Sequence, residues 1–280
     1  MSRPAAAIYA LLTDGGTVEV RPAGSQDFEA VGAMHAAMSP DNVYLRFFSM
    51  SPNAAEQEAR RVCREPDSGH AALLAWQDDR LVGVGAYEPA GKPGVAEVAF
   101  AVPDDMHGRG IASLLLEHLV WQARQRGLRM FTGETLAENS AMLRVFADAG
   151  LPAKRRIADG VVELTFPLPV GQDEHRLGAY LEAVASRESQ ADVASLRPLL
   201  GPRSVAVVGA SPRRATVGRA ILHNIVTGGF TGPVYAVNPH ALAMEMEMEG
   251  VPCVASVDDL PGPVDLAVIA VPPPAVPEVA

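Results

Sequence analysis

Short apolar runs, alternating or continuous, recur along the chain, and segments with helical spacing separate several of them. The start carries no such pattern and reads as disordered. Val18-Glu19-Val20-Arg21-Pro22 then predicts a first strand closed by proline. Phe28, Val31, Met34 and His35 recur at the helical period over 27–38. Ser39-Pro40-Asp41-Asn42 interrupts them, a dense apolar-aromatic segment fills 43–48, and 52–63 predicts a charged amphipathic helix. Residues 71–77 and 81–87 predict strands joined by the turn Asp78-Asp79-Arg80. A strand over 95–102 runs through a Gly-rich turn into a helix of about four turns that ends at Gly127. A strand at 128–136, a helix capped by Asn139 and stopped near Gly150, and a strand at 161–168 complete the series.

Pro167-Leu168-Pro169-Val170-Gly171 breaks the pattern, and the polar segment 173–196 predicts a linking helix. A new unit starts at Arg203. It has a strand at 204–208, the turn Gly209-Ala210-Ser211-Pro212, a helix at 216–227, and buried strands of the parallel type at 233–237 and 264–271. The Met-Glu alternation over 244–249 reads as a solvated loop or helix rather than a Met-rich binding surface. The expectation is an α/β chain with one domain over 17–168, a linker with a helix over 169–200, and a second domain over 201–280. That second sheet is short of the later strands such a unit usually has, so it is expected to be incomplete, and the chain to be a fragment of a longer protein.

Composition narrows the function classes. A net charge of −10 argues against nucleic-acid binding, and Lys154-Arg155-Arg156 reads as a solvated loop or strand edge. Cys63 and Cys253 lie far apart, in different domains, which fits a reducing compartment and no disulfide framework. The seven histidines show no metal-ligand spacing. No apolar run approaches the ~20 residues that span a membrane, and Met1-Ser2-Arg3-Pro4 has no signal-peptide organisation. A cytoplasmic location is expected.

The candidate chemistry sits between 95 and 151. His107-Gly108-Arg109-Gly110-Ile111-Ala112 opens a helix, where unpaired backbone N–H groups can hold a pyrophosphate. On its own this hexapeptide is equally a tight strand-to-helix turn. It lacks the acid ~20 residues on that a dinucleotide fingerprint carries, and the Lys-Ser/Thr ending of a P-loop. Arg109 is a candidate for one charge-assisted bond. Glu97 lies on the strand leading in, on a face with Val95, Ala99 and Ala101, while Val98, Phe100 and Val102 form the bulky face. By period alone it is either an outward-facing strand residue or a carboxylate with room beside it. Glu134 is its rival and Glu88 a weaker candidate.

The hexapeptide resembles motif A of the GNAT acetyltransferases, Gln/Arg-x-x-Gly-x-Gly/Ala, with His107 at the Gln/Arg position. Leu136-Ala137-Glu138-Asn139-Ser140-Ala141-Met142-Leu143 and Ala149-Gly150-Leu151 are similar to the family's second CoA-contacting region. The wording Leu-Ala-Glu-Asn-x-x-Met-Leu, with the segment from Ser39 to Phe48, resembles the bacterial protein lysine acetyltransferases of the Pat type. The resemblance covers about 17–168. It implies a GNAT fold with a central mixed sheet and acetyl-CoA as co-substrate. The acyl-CoA is then expected beside Val98, Ala99, Phe100, Ala101 and Val102, with its pyrophosphate on Gly108 to Ala112. It implies Glu97 as general base, a role that partial burial would suit. At pH 7 only about one lysine in 10³ carries a neutral amine, so a base is needed. Phe146 stands where the family often has a proton-donating Tyr, and a phenyl ring donates no proton. Asn139 is either a helix cap alone or also a partner of the pantetheine arm.

Ser204 to Ser211, Gly218 opening a helix, Gly229 to Pro239, Gly250-Val251-Pro252-Cys253 and Val264 to Pro272 resemble the CoA-binding Rossmann domain of NDP-forming acyl-CoA synthetases. That implies a partial doubly wound domain, and a second CoA site at Gly209, Ala210, Ser211, Gly218 and Asn238. No ATP-grasp region or phosphorylatable-His subdomain accompanies it, so synthetase chemistry is not expected of this chain. The expected function is acetyl-CoA-dependent N-acetylation of a protein lysine, with a metabolic enzyme a candidate acceptor. The alternatives are a small-molecule amine or amino acid as acceptor, or a non-catalytic acyl-CoA sensor.

Overall fold

The computed structural model describes residues 7–47, 53–67, 69–169, 174–213, 215–240 and 247–279. They fall into two units, Met1–Ser195 and Leu196–Ala280. The strands of the first are β1 (Ile8–Leu11), β2 (Thr17–Pro22), β3 (Ala71–Gln77), β4 (Arg80–Pro89), β5 (Val95–Ala101), β6 (Met130–Leu136), β7 (Lys154–Ala158) and β8 (Val161–Pro167). Its helices are α1 (Phe28–Ala36), α2 (Pro40–Phe47), α3 (Ala54–Val62), α4 (Ile111–Gln125), α5 (Ser140–Asp148) and most of α6 (Glu174–Leu200). The strands form one mixed sheet in the order β1-β2-β3-β4-β5-β6-β8-β7. Only β5 and β6 pair in parallel among these described strands, because α4 carries the chain back across the sheet between them.

Alternation on β5 assigns its two faces. Val98 and Phe100 join the core built on α4, with Leu115, Leu119, Phe131 and Phe166. Ala101 points the other way, into a second core with Val31, Ala59 and Val62 of α1 and α3. Gly83 and Gly85 on β4 let α4 lie close to the sheet. A Cβ on Gly83 would stand 2.4 Å from Ile111 Cγ2, and one on Gly85 3.1 Å from Leu115 Cβ.

The start read as disordered contains β1, which pairs antiparallel with β2 from Ile8↔Val20 to Leu11↔Thr17. Its alternation is too short to stand out in the sequence, and the hairpin gains stability from the sheet it extends. The run Lys154-Arg155-Arg156 forms most of β7, the outer strand beside β8, where cations discourage further pairing. The helix read as a linker packs through Leu177, Tyr180 and Val184 on the first unit's core. Tyr180 Oη donates to the Glu117 carbonyl at 3.0 Å, and Arg187 pairs with the Glu117 carboxylate at 2.6 Å.

The second unit comprises β9 (Val205–Val208), α7 (Val217–Thr227), β10 (Val234–Val237), β11 (Glu247–Met248), β12 (Val251–Val254), β13 (Leu266–Ile269) and the short α8 (Val276–Val279). Its sheet order is β11-β12-β10-β9-β13, with β9, β10, β12 and β13 parallel. Two readings change here. Glu247 and Met248, read as solvated loop or helix, form a strand against β12, and Met248 is buried. Met244, Glu245 and Met246 lie outside the described residues. The strand read as buried over 264–271 is half exposed, since β13 lies at the sheet edge.

Among the described residues no helix is long and apolar enough to cross a membrane, and no cluster of three metal-ligating side chains occurs. Both cysteines are buried and free.

Candidate active site

The parallel ladder between β5 and β6 runs for three pairs, Val95↔Met130, Ala96↔Phe131 and Glu97↔Thr132, and then stops. Both strands continue, β5 to Ala101 and β6 to Leu136. Backbone groups on the facing edges beyond Glu97 and Thr132 are therefore left without a strand partner, and an extended ligand arm can take that place. A cavity of about 490 Å³ occupies this opening, lined by Val98, Ala99, Phe100, Ala101, Val102, His107, Gly108, Gly110, Ile111, Ala112, Asn139 and Phe146 among others. Twelve of the fourteen sequence-predicted positions of the first site thus line one cavity, all but Glu97 and Arg109.

Gly108 (φ +77°) and Gly110 (φ +83°) adopt left-handed conformations, which turn the chain sharply into α4. The first intrahelical bond from this end runs from the Leu114 N–H to the Gly110 carbonyl at 3.0 Å. No side chain caps the helix, so the N–H groups of Ile111, Ala112 and Ser113 remain for an anion. Gly110 has a second reason to lack a side chain: a Cβ there would stand 2.8 Å from Thr13 Cγ2. Thr13 itself lines the cavity.

Arg109 does not serve this turn with its side chain. Its guanidinium pairs with Asp14 and donates to Gln77 Oε1 at 3.0 Å, which pins the β1–β2 connection to the turn. The arginines that line the cavity are Arg46 and Arg144. His107 Nε2 lies 3.0 Å from the Val102 carbonyl, which also accepts from Asn42 Nδ2 at 3.0 Å. That carbonyl is therefore engaged within the protein.

Glu97 is exposed, not partly buried, and does not line the cavity. It stands on the last rung of the ladder, next in sequence to the lining residue Val98. Because Thr132 is directly opposite, Glu97, Thr132 and Glu134 share one sheet face. Glu163 pairs with Glu134 and extends that face onto β8. Glu134, also exposed, does line the cavity: desolvation, then the Glu97 and Glu163 carboxylates, push its carboxyl above the ordinary value. Glu88, across β4 from Glu97, is held by Arg64 at 2.8 Å and His70 at 2.9 Å.

An ion cluster joins α2 to α3 around one buried carboxylate. Glu58 is 5% exposed and accepts from Arg46 at 2.6 Å and Arg61 at 2.7 Å. Burial pushes the Glu58 carboxyl up, but the two guanidinium groups prevail and hold it below its usual value. The same pairing fixes Arg46 in the cavity wall, with its guanidinium 5.1 Å from the Phe47 ring.

Asn139 caps α5, its Oδ1 accepting the Met142 N–H at 3.0 Å, and also lines the cavity. Phe146 is buried between Phe100 (6.2 Å) and Phe166 (5.4 Å), and a Cβ on Gly133 would lie 3.2 Å from its Cζ. The position at which the family resemblance leads one to look for a Tyr is thus apolar. Thr13, Arg46, Thr135 and Arg144 are not singled out as site residues in the sequence, because tertiary folding brings them to the opening.

In the second unit, Gly209, Ala210 and Asn238 meet at the carboxyl ends of β9 and β10. Asn238 is buried, donates from Nδ2 to the Ala210 carbonyl, and accepts the His240 N–H at 2.9 Å, so its side chain fixes the turn. Gly218 lets α7 approach closely: a Cβ there would stand 2.4 Å from the Gly209 carbonyl oxygen. Ser211 Oγ accepts the Arg213 N–H at 3.3 Å. β9 lies between two parallel strands reached by connections in opposite directions, the place where open α/β sheets bind ligands.

Comparison with known proteins finds relatives of both units. Residues 33–151 match the acetyltransferase (GNAT) family, and residues 203–280 match the CoA binding domain family. The GNAT domain of PAT from S. lividans superimposes with a TM-score of 0.54 at 37% identity, covering 58% of this chain and 97% of that domain. Acetyltransferase Pat of Mycolicibacterium smegmatis is 41% identical over 56 residues, 20% of this chain and 17% of that protein. The ADP-forming acetate–CoA ligase II of Archaeoglobus fulgidus is 44% identical over 87 residues, 31% of this chain. This chain spans only 12% of that ligase, and 18% and 11% of two further acetate–CoA ligase chains. With the parted strands, the uncapped helix and near-complete coverage of a solved GNAT domain all in agreement, the chain belongs to the GNAT acetyltransferase family and carries a CoA-binding domain behind its acetyltransferase domain.

Proposed function

We propose that the chain transfers the acetyl group of acetyl-CoA to the side-chain amine of a protein lysine. The observation that carries this reading is the parting of β5 and β6 beside the uncapped N-terminus of α4. The arm of acetyl-CoA takes the place of the missing strand pairs, and its pyrophosphate lies on the N–H groups from Gly108 to Ala112. This brings the thioester to the last rung, beside Glu97. The amine enters from the face of Glu97, Thr132 and Glu134, where carboxylates favour a cation. Glu97 removes its proton, directly or through water, and the neutral amine attacks the thioester carbonyl. Phe146 offers no proton to the departing thiolate, which leaves as the anion or takes a proton from solvent. The resemblance to Pat-type enzymes supports a lysine as acceptor.

In this reading the second unit binds CoA at Gly209, Ala210, Ser211, Gly218 and Asn238. The test is incubation with acetyl-CoA and a cell lysate, followed by mapping of acetyl-lysines by mass spectrometry, with free amino acids and small amines in parallel. New acetyl-lysines on lysate proteins are expected. Acetylation confined to small amines would replace the acceptor class, and no transfer at all would favour an acyl-CoA sensor.

A further inference from the structure

We infer that the Thr135 hydroxyl is a positioning contact for an amide of the acyl-CoA arm. The inference rests on the acetyl-CoA reading of the cavity. Thr135 lines that cavity, is 1% exposed, and its Oγ1 has no hydrogen-bond partner among the described residues. A buried hydroxyl without a partner lowers stability, whereas valine would fill the same volume and suit a strand at least as well. On fold grounds alone a threonine here is unfavourable. The penalty disappears once a ligand supplies a partner.

Its place on the strand says which part of the ligand that is. Thr135 lies three residues beyond Thr132, the last paired residue of β6, so it stands ~10 Å along the opening. It shares the face of Phe131 and Gly133, the side toward α5, and not the carboxylate face from which the amine enters. With the thioester at the last rung and the pyrophosphate at Gly108 to Ala112, the group passing this level is the amide-bearing arm. An amide offers the hydroxyl both an acceptor and a donor. Thr135 therefore orients the arm and touches neither the acetyl group nor the amine.

The experiment titrates acetyl-CoA and adenosine 3′,5′-bisphosphate, which has no arm, into the wild-type chain, Thr135→Val and Thr135→Ser by calorimetry, with thermal melts of the free proteins. Thr135→Val is expected to weaken acetyl-CoA ~10-fold, about the worth of one net buried hydrogen bond. It should leave the bisphosphate unchanged and melt no lower than wild type. Thr135→Ser should keep acetyl-CoA affinity within ~3-fold. In turnover assays the valine variant should show a raised KM for acetyl-CoA with kcat little altered. Undiminished acetyl-CoA affinity in Thr135→Val overturns the inference and leaves the wider reading intact, as does an equal loss for both ligands. Wild-type protein that binds neither ligand overturns the acyl-CoA reading and this contact with it.

Discussion

Glu97 and Thr132 face each other as the last paired residues of the parallel ladder, and from that pair outward β5 and β6 diverge. The opening is bounded on one strand by Val98 to Ala101 and on the other by Gly133 to Leu136. Glu97 is thus placed by backbone register at the point where the two strands stop pairing.

Replacing Glu97 by Gln should lower turnover ~10²–10⁴-fold while acetyl-CoA affinity stays within a few-fold, and higher pH should restore part of the loss because more amine is already neutral. Steady-state rates from pH 7 to 9.5 check this. Wild-type turnover in Glu97→Gln at pH 7, with a large loss in Glu134→Gln, would move the base to Glu134.

Gly110→Ala should destabilise the chain by ~2 kcal/mol or more, because the left-handed backbone strains any side chain and the new Cβ meets Thr13 Cγ2. Adding Thr13→Ser removes the methyl and should recover part of the loss, leaving the backbone share. Urea unfolding of the single and double variants measures both. An equal loss in the two would exclude the contact with Thr13.

Glu58→Gln leaves the partly buried Arg46 and the more exposed Arg61 without their shared, buried carboxylate. A loss of ~3–5 kcal/mol is expected, as for other broken buried pairs. Since Arg46 lines the cavity, acetyl-CoA affinity should fall as well. Chemical denaturation showing less than ~1 kcal/mol would mean that the two guanidinium groups find other partners.

His35 is 1% exposed, with Nδ1 2.8 Å from the Val31 carbonyl. Burial foremost, with Arg46 and Arg61, depresses its pKa below the ordinary 6.5. The unfolded chain therefore takes up a proton at a higher pH than the folded one. Stability on this account is full above about pH 6.5 and falls as the pH drops toward the depressed folded value. His35→Gln should flatten that decline, with His118, depressed chiefly by burial, retaining its own share. Urea midpoints at pH 7.5, 6.5 and 5.5 would show it; an unchanged slope would assign the decline to other groups.

Calorimetry on the whole chain should find two acyl-CoA sites, and Ser211→Arg should remove only the weaker. Ser211 is only partly buried, so an arginine there blocks the turn without disturbing the core. If the sites are coupled, the variant must also change affinity at the acetyltransferase site, since coupling is reciprocal. A single site of unaltered strength in both proteins would mean that this unit binds no CoA.

The sequence by itself determined the backbone-level features of both sites. The turn Gly108-Arg109-Gly110 needs left-handed conformations that glycine adopts freely, and Asn139 before an apolar periodic run marks a cap, so local chemistry was enough. Strand alternation likewise assigned Val98 and Phe100 to one face and Glu97 to the other. Only the tertiary structure decided what each side chain does there. Arg109 turned to Asp14 and Gln77 because β1, invisible as a pattern, folds back beside the turn. Glu97 is exposed rather than partly buried, because exposure depends on what covers a strand and not on its period. Thr13, Arg46 and Thr135 reach the cavity from three elements far apart in the chain, and no local pattern encodes a meeting that long-range packing alone brings about.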